Sequence, residues 1–207
     1  MPAAGWIDPG ALFPGGPRPL WLEIGFGAGE HLAAQAALHP EIGLIGCEPY
    51  IAGVASLLAR AEQAGRANLR VVVDDARLLL AALPDRSLER IFVLFPDPWP
   101  KTRHHKRRIV NPTTAAEFAR LLAPGGELRL ATDDMGYLRA MLLALGRQPG
   151  LIWLAERPAD WRERPDDAPP TRYEQKALAA GRACVHLRYR RAACGEKTLK
   201  RAPEGRI

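Results

Sequence analysis

Short apolar runs alternate with amphipathic stretches through the first 145 residues, and their spacing predicts a strand–helix repeat. Leu20-Trp21-Leu22-Glu23-Ile24 is a short strand ending in a glycine turn, followed by helix-like Glu30 to Leu38. Gly43 to Cys47 is the next strand and Tyr50 to Ala64 the next helix. A β-branched strand, Leu69 to Val73, precedes a helical stretch from Arg77 to Leu83. Arg90 to Phe95 is the fourth strand. Thr113 to Leu122 then reads as a helix closed by Pro124-Gly125-Gly126, a C-cap and turn signal, before a fifth strand, Glu127 to Ala131. Met135 to Leu145 is a helix with few polar positions. This alternation with short connections implies a mostly parallel sheet covered by helices on both faces. Ile152 to Leu154 and Cys184 to Tyr189 are placed to close it as an antiparallel pair, with Arg157 to Arg172 as a loop between them. The expected division is a short N-terminal extension (1–19), one domain (20–191) and a tail (192–207) whose helix breakers and scattered charge predict disorder.

Composition changes this picture little, and charge distribution changes it more. Hydrophobic residues at 47% and charged residues at 25% are ordinary for a soluble globular domain. No apolar run approaches the roughly 20 residues a spanning helix requires, and no signal peptide is visible, so a cytoplasmic protein is expected, with no membrane partner. Cys47, Cys184 and Cys194 are far apart and form no C-x-x-C pair, which argues against a disulfide framework or a zinc site; no metal is expected. Residues 1–100 carry 7 Arg and no Lys against 11 acids, a net of −4, whereas residues 101–207 carry a net of +10. An acidic first half and a basic second half suit a small cationic ligand and a large polyanion.

The densest chemical signal lies between residues 95 and 108. Phe95-Pro96-Asp97-Pro98-Trp99-Pro100 follows the fourth strand, and its three prolines forbid regular pairing and stiffen the exit from the sheet. Asp97 and Trp99 are held inside this elbow. Of the next eight residues, Lys101 to Arg108, five are Lys or Arg and two are His. An acid and a flat ring beside dense positive charge suit a nucleobase whose phosphates are gripped nearby. A basic run alone is more often a solvated face.

Other acids stand at the ends of neighbouring strands. Glu23-Ile24-Gly25-Phe26-Gly27-Ala28-Gly29 occupies the first strand-to-helix turn, where doubly wound sheets bind ligands. It lacks the spacing of the dinucleotide fingerprint, and Glu23 has the wrong sign for a pyrophosphate neighbour but the right one for a sulfonium. Glu48 ends the second strand, where a carboxylate accepts both hydroxyls of a ribose. Asp75-Ala76 ends the third, placed to meet an adenine amino group and flank its ring. Singly, each has an ordinary structural explanation. Together they describe a pocket for S-adenosylmethionine. Asp97, at the end of the fourth strand, faces the same crevice. A heterocyclic nitrogen with a free lone pair loses no proton before attack, so Asp97 would orient the acceptor base and offset its developing charge.

These residues carry a family resemblance. Glu23-Ile-Gly-Phe-Gly, Gly46-Cys-Glu48, Asp75-Ala76, Phe95-Pro-Asp-Pro-Trp-Pro-Lys101, Arg103-His-His-Lys-Arg-Arg108, Thr132-Asp133 and Thr171-Arg-Tyr-Glu174 resemble the bacterial tRNA (guanine-N7)-methyltransferase family from about Trp21 to Tyr189. The resemblance implies a Rossmann-like class I S-adenosylmethionine-dependent methyltransferase fold. It also implies methyl transfer to N7 of a guanosine in the tRNA variable loop, at position 46, with S-adenosylhomocysteine as product. By resemblance, Glu23, Glu48, Asp75 and Asp97 line the cofactor site, together with Gly25, Gly27, Gly29 and Ala76, and Asp97 is the catalytic acid. Lys101, Asp133, Thr171, Arg172, Tyr173 and Glu174 would contact the guanine and its surroundings. Arg103, His104, His105, Lys106, Arg107 and Arg108 would grip tRNA, the enzyme acting as a monomer or homodimer. Without the resemblance, Asp133 reads as the N-cap of the Met135 helix and Tyr173 as a core or loop-anchoring residue. Relatives often carry a longer basic N-terminal segment, so a smaller RNA footprint is expected here unless the tail Lys197 to Arg206 compensates.

Three other readings compete. Asp-Pro-Trp also resembles the Asp-Pro-Pro-aromatic elbow of amino methyltransferases, which would direct the methyl group to an exocyclic nitrogen. A nucleotide-dependent oxidoreductase is disfavoured by Glu23 and the missing fingerprint glycine. A non-catalytic RNA-binding subunit would not need four acids at strand ends.

Overall fold

The computed structural model describes residues 7–16, 18–65, 67–193 and 195–196. Cys194 and the Lys197 to Arg206 stretch of the tail lie outside the described residues. Seven strands form one sheet: β1 (Leu20–Ile24), β2 (Gly43–Cys47), β3 (Leu69–Val72), β4 (Leu88–Leu94), β5 (Leu122–Thr132), β6 (Leu151–Trp153) and β7 (Val185–Arg191). Their order is β3-β2-β1-β4-β5-β7-β6. The first five are mutually parallel, and β7 runs antiparallel to both β5 and β6. Strand order reverses beside β1, which lies between β2 and β4. That reversal opens a crevice at the strands' carboxyl ends.

Strand alternation divides the sheet's side chains between two layers. Leu22, Ile24, Ile91, Val93, Leu128 and Leu130 pack with α3 (Ala76–Ala82), α4 (Pro112–Leu121) and α5 (Met135–Gly146). Trp21, Leu44 and Phe92 point the other way, against α1 (Glu30–Leu38) and α2 (Ile51–Gln63). This second face is polar over β4, β5 and β7, where Glu127 of β5 accepts from Arg129 and Arg188. The Arg90 guanidinium stacks on Trp21, 4.1 Å from its ring centroid. Asp167, on the segment after β6, grips Arg129 with two bonds of 2.9 and 2.7 Å and so fastens that segment across the face.

Three local expectations change. The Pro124-Gly125-Gly126 signal does not cap α4, because Leu122 is already extended and pairs with Leu88. The glycines instead form an irregularity inside β5, with Gly125 at φ +83°. Within the expected loop, α6 (Ala159–Arg162) is a single turn, and α7 (Arg172–Ala179) begins at the loop's end. Only Glu174 and Ala177 of α7 are buried, so no apolar stripe marked it. Its start was nonetheless written in Thr171-x-x-Glu174: the Thr171 hydroxyl accepts from the Glu174 N–H at 3.1 Å. The N-cap of α5 is Asp134, which accepts from the Tyr137 N–H, and not Asp133. Within the N-terminal extension residues 7–16 are anchored, since Phe13 is buried and Arg70 donates to the Leu12 carbonyl at 2.6 Å.

Candidate active site

The crevice at the strand ends has a volume of about 590 Å³ and is lined by the β1–α1 turn, the ends of β2 and β4, and the start of α3. Gly25 and Gly27 lie on its wall with φ of +72° and +58°, a region open to glycine at little cost. Gly29 turns into α1 and serves packing: a Cβ there would come 2.7 Å from Leu57. It is not among the lining residues.

The acids expected around the cofactor occupy different situations. Glu48 is buried to 8% exposure, and its two carboxylate oxygens each accept one backbone N–H, from Gly27 and Tyr50, both at 2.9 Å. Each oxygen keeps a lone pair for a further donor. Asp75 caps α3 through the Arg77 N–H and binds the Arg77 guanidinium at 3.0 Å, while Ala76 forms the wall beside it. Glu23 departs from expectation. Its side chain belongs to the other layer of the sheet, is 3% exposed and bonds His31 Nδ1 at 2.7 Å. His31 Nε2 meets the Gln35 amide at 3.3 Å, completing a buried polar chain behind the glycine turn. Glu23 is absent from the crevice lining.

Phe95 and Trp99 both take left-handed backbone conformations, with φ of +50° and +45°. Such conformations are costly for bulky residues and persist only where surroundings enforce them. Between them Asp97 is exposed and lines the crevice, with no hydrogen bond or ion pair from the described residues. Trp99 has a partner of its own chain: Arg107 lies over its ring at 4.7 Å and His104 meets it edge-on at 5.9 Å.

Of the six expected guanine-binding residues, Thr171, Tyr173 and Glu174 line pockets that include Phe95, and Lys101, Asp133 and Arg172 do not. Tyr173 reaches the crevice wall over Gly27. Thr171 and Glu174 line a small apolar recess of about 30 Å³ that shares Phe95 with the crevice. Glu174 is buried, 3.3 Å from Arg164 Nε and 3.6 Å from His186 Nε2. Burial, with Arg164 alongside, pushes the His186 imidazole down to about 4, so near pH 7 the ring facing Glu174 is neutral. Arg172 lies beside the Tyr173 ring. Asp133 is tied to Arg182 Nε at 2.7 Å, and Lys101 is exposed at the start of the basic segment; neither lines the crevice.

That segment is a 3₁₀ helix, Thr102–Arg107. Arg103, His105, Lys106 and Arg107 are exposed and His104 is half-buried. Arg108 differs: it turns inward and is 8% exposed. His31, Arg77, Arg164 and His186 were not singled out in the sequence. Each has a partner 8 to 31 residues away, although Arg77 also binds Asp75 and His31 also meets Gln35 close by in the chain, and those distant pairings left no local pattern. Among the described residues no group of His, Cys, Asp or Glu is arranged to hold a metal, and no helix is long and apolar enough to cross a membrane.

The sheet order and the crevice at its reversal are those of the class I methyltransferase fold. The structure is similar to a rRNA methylase from Streptococcus thermophilus (TM-score 0.57, 11% identity, 85% of this chain and 88% of that one). It is also similar to the antibiotic-resistance methyltransferase Kmr (TM-score 0.55, 20% identity, 92% and 95% covered). Residues 17–187 match the family described as "Putative methyltransferase". Over 201 residues the sequence is 54% identical to the tRNA (guanine-N(7)-)-methyltransferase of Rhodospirillum rubrum, covering 96% of this chain and 79% of the relative. It is 54% identical over 185 residues to the enzyme of that name from Ruegeria pomeroyi, covering 89% and 77%. The chain belongs to the tRNA (guanine-N(7)-)-methyltransferase family.

Proposed function

We propose that this enzyme transfers the methyl group of S-adenosylmethionine to N7 of a guanosine in tRNA, in the variable loop at position 46 by family resemblance, and that it works in the cytoplasm. One observation carries the reading of the site. Glu23, Glu48, Asp75, Asp133 and Glu174 are all engaged by other groups of the chain, whereas Asp97 stands in the crevice with no hydrogen-bond or ion-pair partner among the described residues. An unpartnered carboxylate on a rigid elbow is available to an incoming base.

The residues present fit S-adenosylmethionine. Glu48 has acceptor capacity left for ribose hydroxyls, Asp75 keeps acceptor capacity for an amino group, and the net negative charge of the wall favours a sulfonium. When bound, S-adenosylmethionine supplies an electrophilic methyl group. Asp97 would accept hydrogen bonds from the ring N–H and amino group of guanine and offset the positive charge that methylation places on the ring. N7 attacks with its own lone pair, so no residue need remove a proton first. Tyr173 covers the glycine turn and limits water at that wall. The exposed cations of the 3₁₀ helix would hold phosphates without reading sequence.

Incubation with unmodified tRNA and methyl-labelled S-adenosylmethionine, followed by nucleoside analysis, tests the proposal. N7-methylguanosine is the expected product. Label on an exocyclic amino group would support the amino-methyltransferase reading instead, and absence of label would remove the catalytic one.

A further inference from the structure

We propose that Arg108, although it closes the basic segment, is a positioning residue for the Asp97 elbow and makes no contact with RNA. The elbow cannot hold itself. Pro96, Pro98 and Pro100 have no N–H, and among the described residues no main-chain hydrogen bond is made by 96–100. Its one hydrogen bond comes from outside: Arg108 Nε donates to the Pro98 carbonyl at 2.7 Å. This bond falls on the residue after Asp97, at the peptide that joins Pro98 to the left-handed Trp99. A strained turn with no internal bonds needs such a restraint to keep one conformation.

Arg108 is in turn fixed to the core. Its guanidinium lies over Tyr137, 4.8 Å from the ring centroid, and Tyr137 is fully buried and accepts the Val110 N–H at 2.9 Å. The Arg108 carbonyl accepts from Asn111 Nδ2 at 3.0 Å and from Arg77 Nη2 at 3.3 Å. The residue therefore runs as a strut from the α5 layer to the elbow. At 8% exposure it offers a phosphate far less surface than its exposed neighbours Arg103, Lys106 and Arg107.

This inference rests on the reading of Asp97 as the group that meets the acceptor base. Arg108→Met, Arg108→Gln and Arg108→Lys, made in the full chain, are compared with Lys106→Ala for turnover at saturating tRNA and for the salt dependence of tRNA binding. Arg108→Met is expected to lower kcat roughly ten- to a hundredfold, because the aim of Asp97 is lost. Its salt slope should match wild type, whereas Lys106→Ala should lose a little under one unit of slope. Arg108→Gln and Arg108→Lys keep a donor near Pro98 and should recover part of kcat; they also serve if the Met variant does not fold. A fall in salt slope with kcat unchanged would make Arg108 an RNA ligand and overturn the proposal. So would folded Gln and Lys variants that lose thermal stability alone. Failure of the Asp97 reading is seen separately, as wild-type kcat in Asp97→Asn.

Discussion

The Tyr173 ring lies against Gly27, so closely that a Cβ at position 27 would stand 3.1 Å from its Cε2. This contact joins α7 to the glycine turn, two segments 146 residues apart that line one crevice. Gly27→Ala would meet both the ring and the +58° backbone, a conformation costing an L-residue roughly 1–2 kcal/mol. S-adenosylhomocysteine should bind about tenfold more weakly, equivalent to roughly 1.4 kcal/mol, as measured by titration calorimetry. Wild-type affinity in this variant would show that the turn does not touch the cofactor.

Asp97→Asn should abolish turnover while leaving S-adenosylhomocysteine affinity within about tenfold of wild type. Among the described residues its side chain has no hydrogen-bond or ion-pair partner, so the substitution breaks none of these bonds. Turnover above half of wild type would remove Asp97 from the mechanism.

Glu48→Gln keeps the size of the side chain but presents an NH₂ to one of the two backbone donors that Glu48 accepts. Cofactor affinity should fall by roughly 1–3 kcal/mol, through loss of charge-assisted bonds and disturbance of the turn. Equal affinity of wild type and variant for S-adenosylhomocysteine would place the ribose elsewhere.

His186 gives the fold a pH dependence whose sign is set by burial. Its imidazole is pushed from 6.5 down to about 4, so the unfolded chain takes up a proton at higher pH than the folded one. The stability it contributes is present above about pH 6.5 and is lost progressively as pH falls toward 4. Urea unfolding of wild type and His186→Gln across that range should show the steeper decline in wild type. Parallel curves would mean that His186 is protonated in the folded protein.

Replacing Arg103 and Lys106 with Ala should weaken tRNA binding and reduce its salt slope by up to about two units, with the cofactor constant unchanged. Both are exposed on the 3₁₀ helix. An unchanged slope would make this helix a solvated surface, and the tRNA contacts would have to be sought elsewhere.

The alternation of strands and helices, the glycine turn, the proline elbow and the acids at strand ends were all determined by the sequence alone, because each is a local signal. Periods of two and three to four residues are set by backbone geometry, and proline and glycine act on the residues beside them. Partnership was decided only by the tertiary structure. Glu23 lies inside β1, one residue before its end, and faces the α1 layer against His31, whereas Glu48 follows the end of β2 and lines the crevice. Arg107 and Arg108 are adjacent and alike, yet the backbone turn after the 3₁₀ helix sends one over Trp99 and the other to Pro98 and Tyr137. A charged side chain's role depends on which group it meets across the fold, and that meeting is fixed by packing between segments far apart in the chain.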